Sequence, residues 1–222
     1  MTPTTTPSAR GWGVRFDSID VTTPVPSAMG TGSIRGVCVN TEANMIYMSS
    51  QSYHRIYGYN MSSGQLSTIA SSSGSPGSYD GSATYARFYS PYGMEMDAHS
   101  GAIFVADTNN HKIRRVDLVA QTVDRWAGSG SSGYFDGFGT FARFSSPYDV
   151  AVYRNSTMSQ PVVYVADRNN HRIRVVHAYD REGIPSRAAT KEVNLVAGTS
   201  ISGRIDGACS LARFYYPGGL AA

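Results

Sequence analysis

Three histidines recur at matching places in the chain, and recurring histidines raise the question of a metal site. His54, His111 and His171 each precede an isoleucine by two positions. A zinc ion needs its nitrogen ligands at about 2.1 Å, whereas equivalent turns of units arranged in a ring lie more than one strand spacing of ~4.8 Å outside the innermost strand, which places these histidines ~10 Å or more apart. We therefore expect no metal or other cofactor here, and we expect each histidine to hydrogen-bond to backbone in a turn.

Two aspartates stand shortly before two of these histidines, in Asp-x-Asn-Asn-His stretches. The ring argument separates their carboxylates too, so they cannot act as an acid–base pair. We expect each to accept N–H bonds from its own turn. The sequence contains no nucleophile elbow, phosphate-binding glycine loop or paired-cysteine motif, and it predicts a structural motif and not an enzyme. The motif residues are Asp107, Asn110, His111, Asp167, Asn170 and His171.

The motif lies in a unit that is repeated along the chain. Ala-Arg-Phe occurs at 86–88, 142–144 and 212–214, and Asp-Gly precedes each copy. Turn-forming residues divide the second unit into four short strands, at 92–97, 102–106, 112–117 and 123–127. Four short strands per unit, repeated at a period of roughly fifty residues, predict the blades of a β-propeller.

The expected fold is all-β, an incomplete propeller with about three four-stranded blades and the first strand of a fourth. An N-terminal segment precedes the blades and has room for one strand of a preceding blade, at Ser18–Thr22. The predicted limits are 1–30 for that segment, then 31–88, 89–144 and 145–214 for the blades, and 215–222 for the start of the next.

The units resemble the NHL-repeat family of β-propellers, whose core runs from Pro-x-Gly through an apolar strand to Ala-Asp-x-x-Asn-His-x-Ile. Pro91–Asp97 leads here to Phe104–Ile113, and Pro147–Val152 leads to Tyr164–Ile173. The first unit is degenerate and has Ser50 in place of the aspartate. The resemblance covers roughly residues 31 to 222. It implies a ring of six blades, which either a second copy or further blades would complete.

The resemblance leaves several functions open, because NHL propellers serve as protein-interaction modules, RNA binders, sensor domains and, in one lyase family, as a catalytic domain. We expect a non-catalytic scaffold that binds a protein or glycan partner through its loops. The alternatives are an RNA-binding domain and a piece of a metal-dependent lyase or hydrolase. The lyases hold their metal on histidines of the innermost strands, and 36–39, 93–96 and 149–152 contain no histidine.

Two surfaces are candidates for partner binding, because the connectors alternate between the two faces of a propeller. The long loops share one face with the Asn-Asn-His turns, and aromatic loop residues suit recognition. The insertions of the third unit, at 154–161 and about 177–191, lie on the opposite face, and such insertions also mark binding faces. We favour the loop face, with Tyr79, Tyr85, Tyr134, Phe135 and Phe138 as contacts.

The charge balance bears on the RNA alternative. Lys+Arg number 19 and Asp+Glu 16, a formal net charge of +3, which does not require a nucleic-acid partner. Basic residues nevertheless cluster around the third strand of each unit and would serve as phosphate contacts. Those we single out are Lys112, Arg114, Arg168 and Arg172.

Composition places the chain among folded proteins and leaves its compartment open. Hydrophobic residues make up 41% and charged residues 16%, which is a globular balance. No apolar run approaches the ~20 residues of a membrane-spanning helix, and we expect no signal peptide. Glycosylation sequons begin at Asn60 and Asn155, and they matter only in a secretory pathway.

Overall fold

The computed structural model describes residues 32–179 and 190–222, and strands and turns dominate these ranges. The predicted strand at Ser18–Thr22 lies outside the described residues. Within the described part of the chain, no helix is long and apolar enough to cross a membrane.

The strands form three antiparallel sheets, each built from consecutive strands. The first sheet contains β1 (Ile34–Asn40), β2 (Met45–Ser50), β3 (Arg55–Asn60) and β4 (Gln65–Ala70). The second contains β5 (Gly81–Ser82), β6 (Pro91–Asp97), β7 (Ala102–Asp107), β8 (Lys112–Asp117) and β9 (Thr122–Ala127). The third contains β10 (Gly137–Phe138), β11 (Pro147–Tyr153), β12 (Val162–Asp167), β13 (Arg172–Tyr179) and β14 (Thr190–Ala197). The four strands predicted for the second unit are confirmed to within one residue at each end, and so is the all-β propeller fold.

A fifth strand, which the sequence did not predict, extends the second and third sheets. Gly81 pairs with Val123 of β9, and Gly137 pairs with Val193 of β14. Both short strands belong to the long loop that arrives from the preceding blade. Each loop therefore adds an outermost strand to the blade that follows it.

The hydrophobic cores lie between the blades. Every residue of β7 is buried, as expected for a strand covered on both faces. One core brings Ile56 of the first blade together with Met94 of the second, and another brings Ile113 of the second together with Val150 of the third. A single blade cannot bury these side chains, so neighbouring blades stabilise one another.

The repeated histidines connect each blade to the next. Nδ1 of His54 accepts the N–H of Ser90 at 3.0 Å, and Nδ1 of His111 accepts that of Ser146 at 3.1 Å. The donor residue directly precedes the inner strand of the following blade. The expected backbone hydrogen bond is thus confirmed, and the structure adds that it crosses a blade boundary. Among the described residues, no group of three or more His, Cys, Asp and Glu side chains converges as metal ligands would.

This histidine bond should depend on pH. Burial lowers the pKa of His111, and only the neutral ring can accept the N–H of Ser146 through Nδ1. Because the pKa is lower in the folded state than in the unfolded state, the stabilisation is present above about pH 6.5 and is lost as the pH falls below that value. We expect His111→Asn to lower the free energy of unfolding by about 1 kcal/mol at pH 8.

The measurement is urea unfolding of the wild type and His111→Asn between pH 8 and pH 5. The difference in the free energy of unfolding between the two proteins should disappear as the pH falls. Other titrating groups affect both proteins equally and do not contribute to this difference. His99→Asn, at an exposed position, is the control and should match the wild type throughout. A gap that stays constant with pH would contradict this account of the histidine.

The glycine of the Asp-Gly pair should also be sensitive to substitution. Gly137 has a φ of +123°, a conformation that residues with a β-carbon rarely adopt. We expect Gly137→Val to lower the free energy of unfolding by more than ~1 kcal/mol in thermal or urea unfolding. Thr140→Val, at an exposed position in the same loop, should leave the melting temperature unchanged. Equal melting temperatures for both variants would refute the prediction.

Candidate binding site

A buried arginine holds the loop that enters the second blade. Arg114 lies on β8, and its side chain is fully buried. Its Nη1 donates to Oδ2 of Asp107 at 2.9 Å and to the carbonyl of Arg87 at 2.9 Å. Its Nη2 donates to the carbonyl of Tyr79 at 2.7 Å and forms an ion pair with Asp80 at 2.8 Å. One guanidinium therefore fixes the end of strand β7 and two points of the loop.

The third blade repeats this arrangement. Nη1 of Arg174 donates to Oδ2 of Asp167 at 3.0 Å and to the carbonyl of Arg143 at 3.1 Å. Its Nη2 donates to the carbonyl of Phe135 at 3.0 Å and to the carboxylate of Asp136. The loops entering both blades are thus held in the same way.

The prediction that the motif aspartates cap their own turns is wrong. The turn at 108–110 has no side-chain cap, and Oδ1 of Asp107 instead accepts the N–H of Tyr89 at 2.8 Å, next to strand β6. Oδ2 of Asp107 accepts the amide of Asn110 at 2.8 Å and the guanidinium of Arg114. Burial raises the pKa of Asp107 to about 6, while Arg114 and the other donors oppose that rise. Asp167 has equivalent partners, and burial likewise raises its pKa to about 6.

The five aromatic residues expected to contact a partner are all exposed. Tyr85 is 81% exposed and Tyr134, the least accessible of them, 40%. The ring of Tyr134 lies under the guanidinium of Arg172, 3.8 Å from its centre. Tyr79 and Phe135 directly precede the loop aspartates whose carboxylates pair with the buried arginines, so their backbone is fixed while their rings face solvent.

Further exposed apolar residues occupy equivalent positions of the loops and were missed. Ile205 matches Tyr79 and Phe135, one position before the aspartate, while Phe141 and Leu211 match Tyr85. Their constant offset from Asp-Gly was the signal that could have found them. We call the exposed apolar side chains of the three loops the apolar rim: Tyr79, Tyr85, Phe135, Phe138, Phe141, Ile205 and Leu211.

The apolar rim does not lie wholly on the face that the sequence suggested. The start of the loop does contact the Asn-Asn-His turn, because the amide of Asn110 donates to the carbonyl of Gly77 at 2.6 Å. The following residues, however, run along the outer edge of the blade as the fifth strand, and Phe138 pairs there with Glu192. The strand order places this segment farthest from the inner strands. The assignment of Phe138 to the loop face is therefore corrected to the outer edge.

The proposed phosphate contacts also need a correction. Arg114 is fully buried and paired with Asp107 and Asp80, so it cannot meet a phosphate. Arg168 lies over the ring of Tyr148 at 4.7 Å, and Arg172 lies over that of Tyr134. Nζ of Lys112 donates to Ser78 at 2.5 Å. The remaining three cations are half-buried, and their contact with RNA stays a prediction.

The inner strands of the three sheets line a cavity of about 590 Å³. The rings of Tyr92 and Tyr148 lie 4.3 Å apart at its wall. Glu95 accepts the N–H of Val152 at 3.3 Å, and Asp149 accepts that of Leu220 at 2.9 Å. Burial raises the pKa of both carboxyl groups. Glu95 thus holds the neighbouring inner strand and Asp149 holds the C-terminal segment, and both roles are structural.

The buried ion pair gives a test of the framework beneath the apolar rim. Arg114→Met leaves Asp107 buried without its cation, and we expect a loss of about 3–5 kcal/mol in the free energy of unfolding at pH 7.5. Arg114 lowers the pKa of Asp107, so in the variant that pKa lies above the wild-type value of about 6, and the deficit should shrink as the pH falls from 7.5 towards 6.

Urea unfolding at pH 7.5 and pH 5 measures both effects. Arg114→Met/Asp107→Asn should recover part of the loss, because it leaves no buried charge. The control is Arg115→Met, which removes a partly exposed pair with Asp124 and should cost less than about 1 kcal/mol. Equal costs for Arg114→Met and Arg115→Met would show that the buried guanidinium has no special role.

Comparison with known proteins gives partial matches to much longer chains. Over 108 residues the chain is 38% identical to Protein SUPPRESSOR OF QUENCHING 1, chloroplastic, of Arabidopsis thaliana. Over 101 residues it is 34% identical to NHL repeat-containing protein 2 of Bos taurus. These segments cover 46% and 45% of this chain but only 10% and 13% of the two relatives. No family model matches the chain.

Solved structures match the fold over most of the chain. An auxiliary nutrient binding protein from Bacteroides thetaiotaomicron superposes with a TM-score of 0.61 at 20% identity, covering 84% of this chain and 42% of that one. A protein of unknown function from the same organism gives a TM-score of 0.63 at 19% identity, covering 86% of this chain and 42% of that one. The chain therefore spans less than half the length of these structures.

The Asn-His motifs, the four-stranded blades and the relatives named for NHL repeats agree with one another. The resemblance to NHL repeats seen in the sequence is thereby confirmed, and the chain folds as blades of a β-propeller.

Proposed function

We propose that the chain is a non-catalytic scaffold that binds a protein partner through the apolar rim. The observation that carries the proposal is the repetition of large exposed apolar side chains at the same two positions of all three loops. Tyr85, Phe141 and Leu211 are 81%, 70% and 68% exposed. Exposed apolar side chains that recur at fixed positions indicate an interaction surface, whereas apolar side chains scattered singly over a surface do not.

The framework beneath these residues supports a binding role. Arg114 and Arg174 donate to backbone carbonyls of the first two loops. The rim residues of these loops therefore need little ordering on binding. Preorganisation of this kind removes part of the entropic cost of association. The solved structure named as a nutrient binding protein uses the same fold, which is compatible with such a role.

The chemistry of the rim favours protein over glycan or RNA. Aromatic rings would suit sugars and bases, but Ile205 and Leu211 occupy the same positions in the third loop, and aliphatic side chains do not stack on either. Of the four cations considered for phosphate binding, Arg114 is buried in an ion pair.

The proposal that the chain is non-catalytic rests on the partners of its buried carboxylates. Asp107 and Asp167 are ion-paired within the blades, and Glu95 and Asp149 accept backbone N–H groups.

The test compares proteins captured by the immobilised chain with those captured by Tyr85→Ser/Phe141→Ser/Leu211→Ser, using quantitative mass spectrometry. The three positions are exposed, so the variant should keep the wild-type melting temperature. Val119→Ser is the control, because Val119 is 83% exposed on a different connector. We expect the triple variant to lose partners by about tenfold or more, since each rim contact contributes to the same interface.

Two outcomes would contradict the proposal. Equal capture by the wild type and the triple variant would exclude the apolar rim as the binding surface. Capture that disappears with ribonuclease or falls steeply with salt would favour RNA binding instead.

A further inference from the structure

Consecutive blades place equivalent side chains at one end of the cavity between the inner strands. The second residue of each inner strand is Arg35 in β1, Tyr92 in β6 and Tyr148 in β11, and all three line the cavity. They are equivalent, because the residue before each pairs with the last residue of the next strand. The Asn-Asn-His turns follow directly after β7 and β12, so this end of the cavity lies beside them.

The three side chains form a row that a second arginine extends. The guanidinium carbon of Arg35 lies 5.3 Å from the centre of the Tyr92 ring, and the rings of Tyr92 and Tyr148 lie 4.3 Å apart. The guanidinium carbon of Arg168, in the turn after β12, lies 4.7 Å from the centre of the Tyr148 ring. We call Arg35, Tyr92, Tyr148 and Arg168 the arginine–tyrosine row.

The two arginines stand at opposite ends of this row. Strand β6 lies between β1 and β11, so Arg35 and Tyr148 approach the ring of Tyr92 from opposite sides. Arg168 also lies over the ring of Tyr216 at 5.2 Å, where the chain leaves the third blade. Two rings thus separate the two guanidiniums, and one carboxylate cannot contact both.

The terminal nitrogens of both arginines are without partners in the described part of the chain. Nε of Arg35 donates to Gln51 at 2.8 Å, and Arg168 contacts only tyrosine rings. Neither arginine forms an ion pair within residues 32–179 and 190–222. Arg114 and Arg174, by contrast, donate through both terminal nitrogens. The row therefore carries two positive charges whose N–H donors are still available.

The acids of the cavity do not neutralise these charges. Burial raises the pKa of Glu95 and of Asp149, and the groups that oppose the rise are backbone N–H donors and not arginines. Burial also raises the pKa of Tyr92, but there Arg35 and Arg168 both oppose the rise. Both positive charges therefore act on the tyrosine hydroxyls of the row.

The covered rings indicate which kind of ligand fits. A nucleic-acid base stacks on an open ring face, whereas Arg35 and Tyr148 cover the ring of Tyr92 from both sides. The open groups of the row are N–H and O–H donors, which suit oxygen anions. A guanidinium fork matches a carboxylate with two parallel hydrogen bonds, and two forks held apart match a molecule with two carboxylates.

We propose that the arginine–tyrosine row binds a small dicarboxylic acid, with one carboxylate on Arg35, the other on Arg168 and the connecting chain along the tyrosine hydroxyls. The rings of Tyr92 and Tyr148 set the distance between the two cations, so they select the length of the acid. The proposal does not depend on the function of the apolar rim, because no rim residue belongs to the row.

A series of straight-chain dicarboxylates tests the spacing. Ligand-observed NMR titrations of the wild-type chain at constant ionic strength give the dissociation constants of succinate, adipate and suberate. We expect suberate to bind about tenfold more tightly than succinate, since only the longer acid reaches both arginines and makes its second contact at high effective concentration. The monoamide of suberate, which has a single carboxylate, should lose this gain.

Variants at either end of the row test both contacts. Arg35→Gln and Arg168→Gln should each weaken suberate binding about tenfold, to the affinity of the monoamide, because each removes one charge-assisted contact. Arg125→Gln is the control and should bind suberate like the wild type, since Arg125 of β9 also forms no ion pair in the described structure but lies outside the row. Melting temperatures show whether each variant keeps the fold, and the ligand series requires no variant.

Three outcomes would overturn the proposal. The first is equal affinity for suberate, succinate and the monoamide, which would mean that anions bind without regard to the spacing. The second is weakened suberate binding in only one of the two arginine variants. The third is tighter binding of inorganic pyrophosphate or of an oligouridylate than of every dicarboxylate, which would assign the row to phosphate or to RNA.

Discussion

The second and third blades each depend on a guanidinium that is removed from water. Both terminal nitrogens of Arg114 and of Arg174 donate hydrogen bonds, and the acceptors of each arginine are a motif aspartate, a loop aspartate and two loop carbonyls. Burying a charge is costly unless nearly every donor finds a partner, and here only the Nε groups lack one. If the loop took another position, its carbonyls would no longer accept from the guanidinium, and the buried charge would be left uncompensated. The loop conformation, and with it the position of every rim residue of the first two loops, follows from this requirement.

The first blade shows when the arginine is needed. Its position equivalent to Arg114 is Tyr57, and Ser50 and Tyr53 replace the aspartate and asparagine. Each arginine holds the loop that comes before its own blade. Residues 1–31 contain neither Asp-Gly nor Ala-Arg-Phe. The arginine and the loop motif that it holds in the other blades are thus missing together from this part of the sequence.

Local patterns in the sequence predicted the local structure well. Strand positions, the buried β7 and the turn histidines followed from residues within one unit, because alternation and turn chemistry act over a few positions. The partners of Asp107 and Arg114 did not follow, since Tyr89 and Tyr79 lie 18 and 35 residues away along the chain. Arg114 looked like a solvated charge because it stands beside Lys112 and Arg115, and only the pairing of β8 decides which of these faces inward. The fifth strand was missed for the same reason, as two residues carry no periodicity and their partner strand comes much later.

The fifth strand also bears on how such a chain grows by gene duplication. The loop 71–90 leaves the first blade, but its short strand pairs with the second blade. Neither a single sheet nor the stretch from one Ala-Arg-Phe to the next therefore contains all of its own contacts. Copying any full period inserts a loop, its arginine and a histidine together. The new blade then meets both neighbours with contacts already matched, and no compensating mutation is required. Blade number can therefore drift between related genes while the interface between blades stays the same.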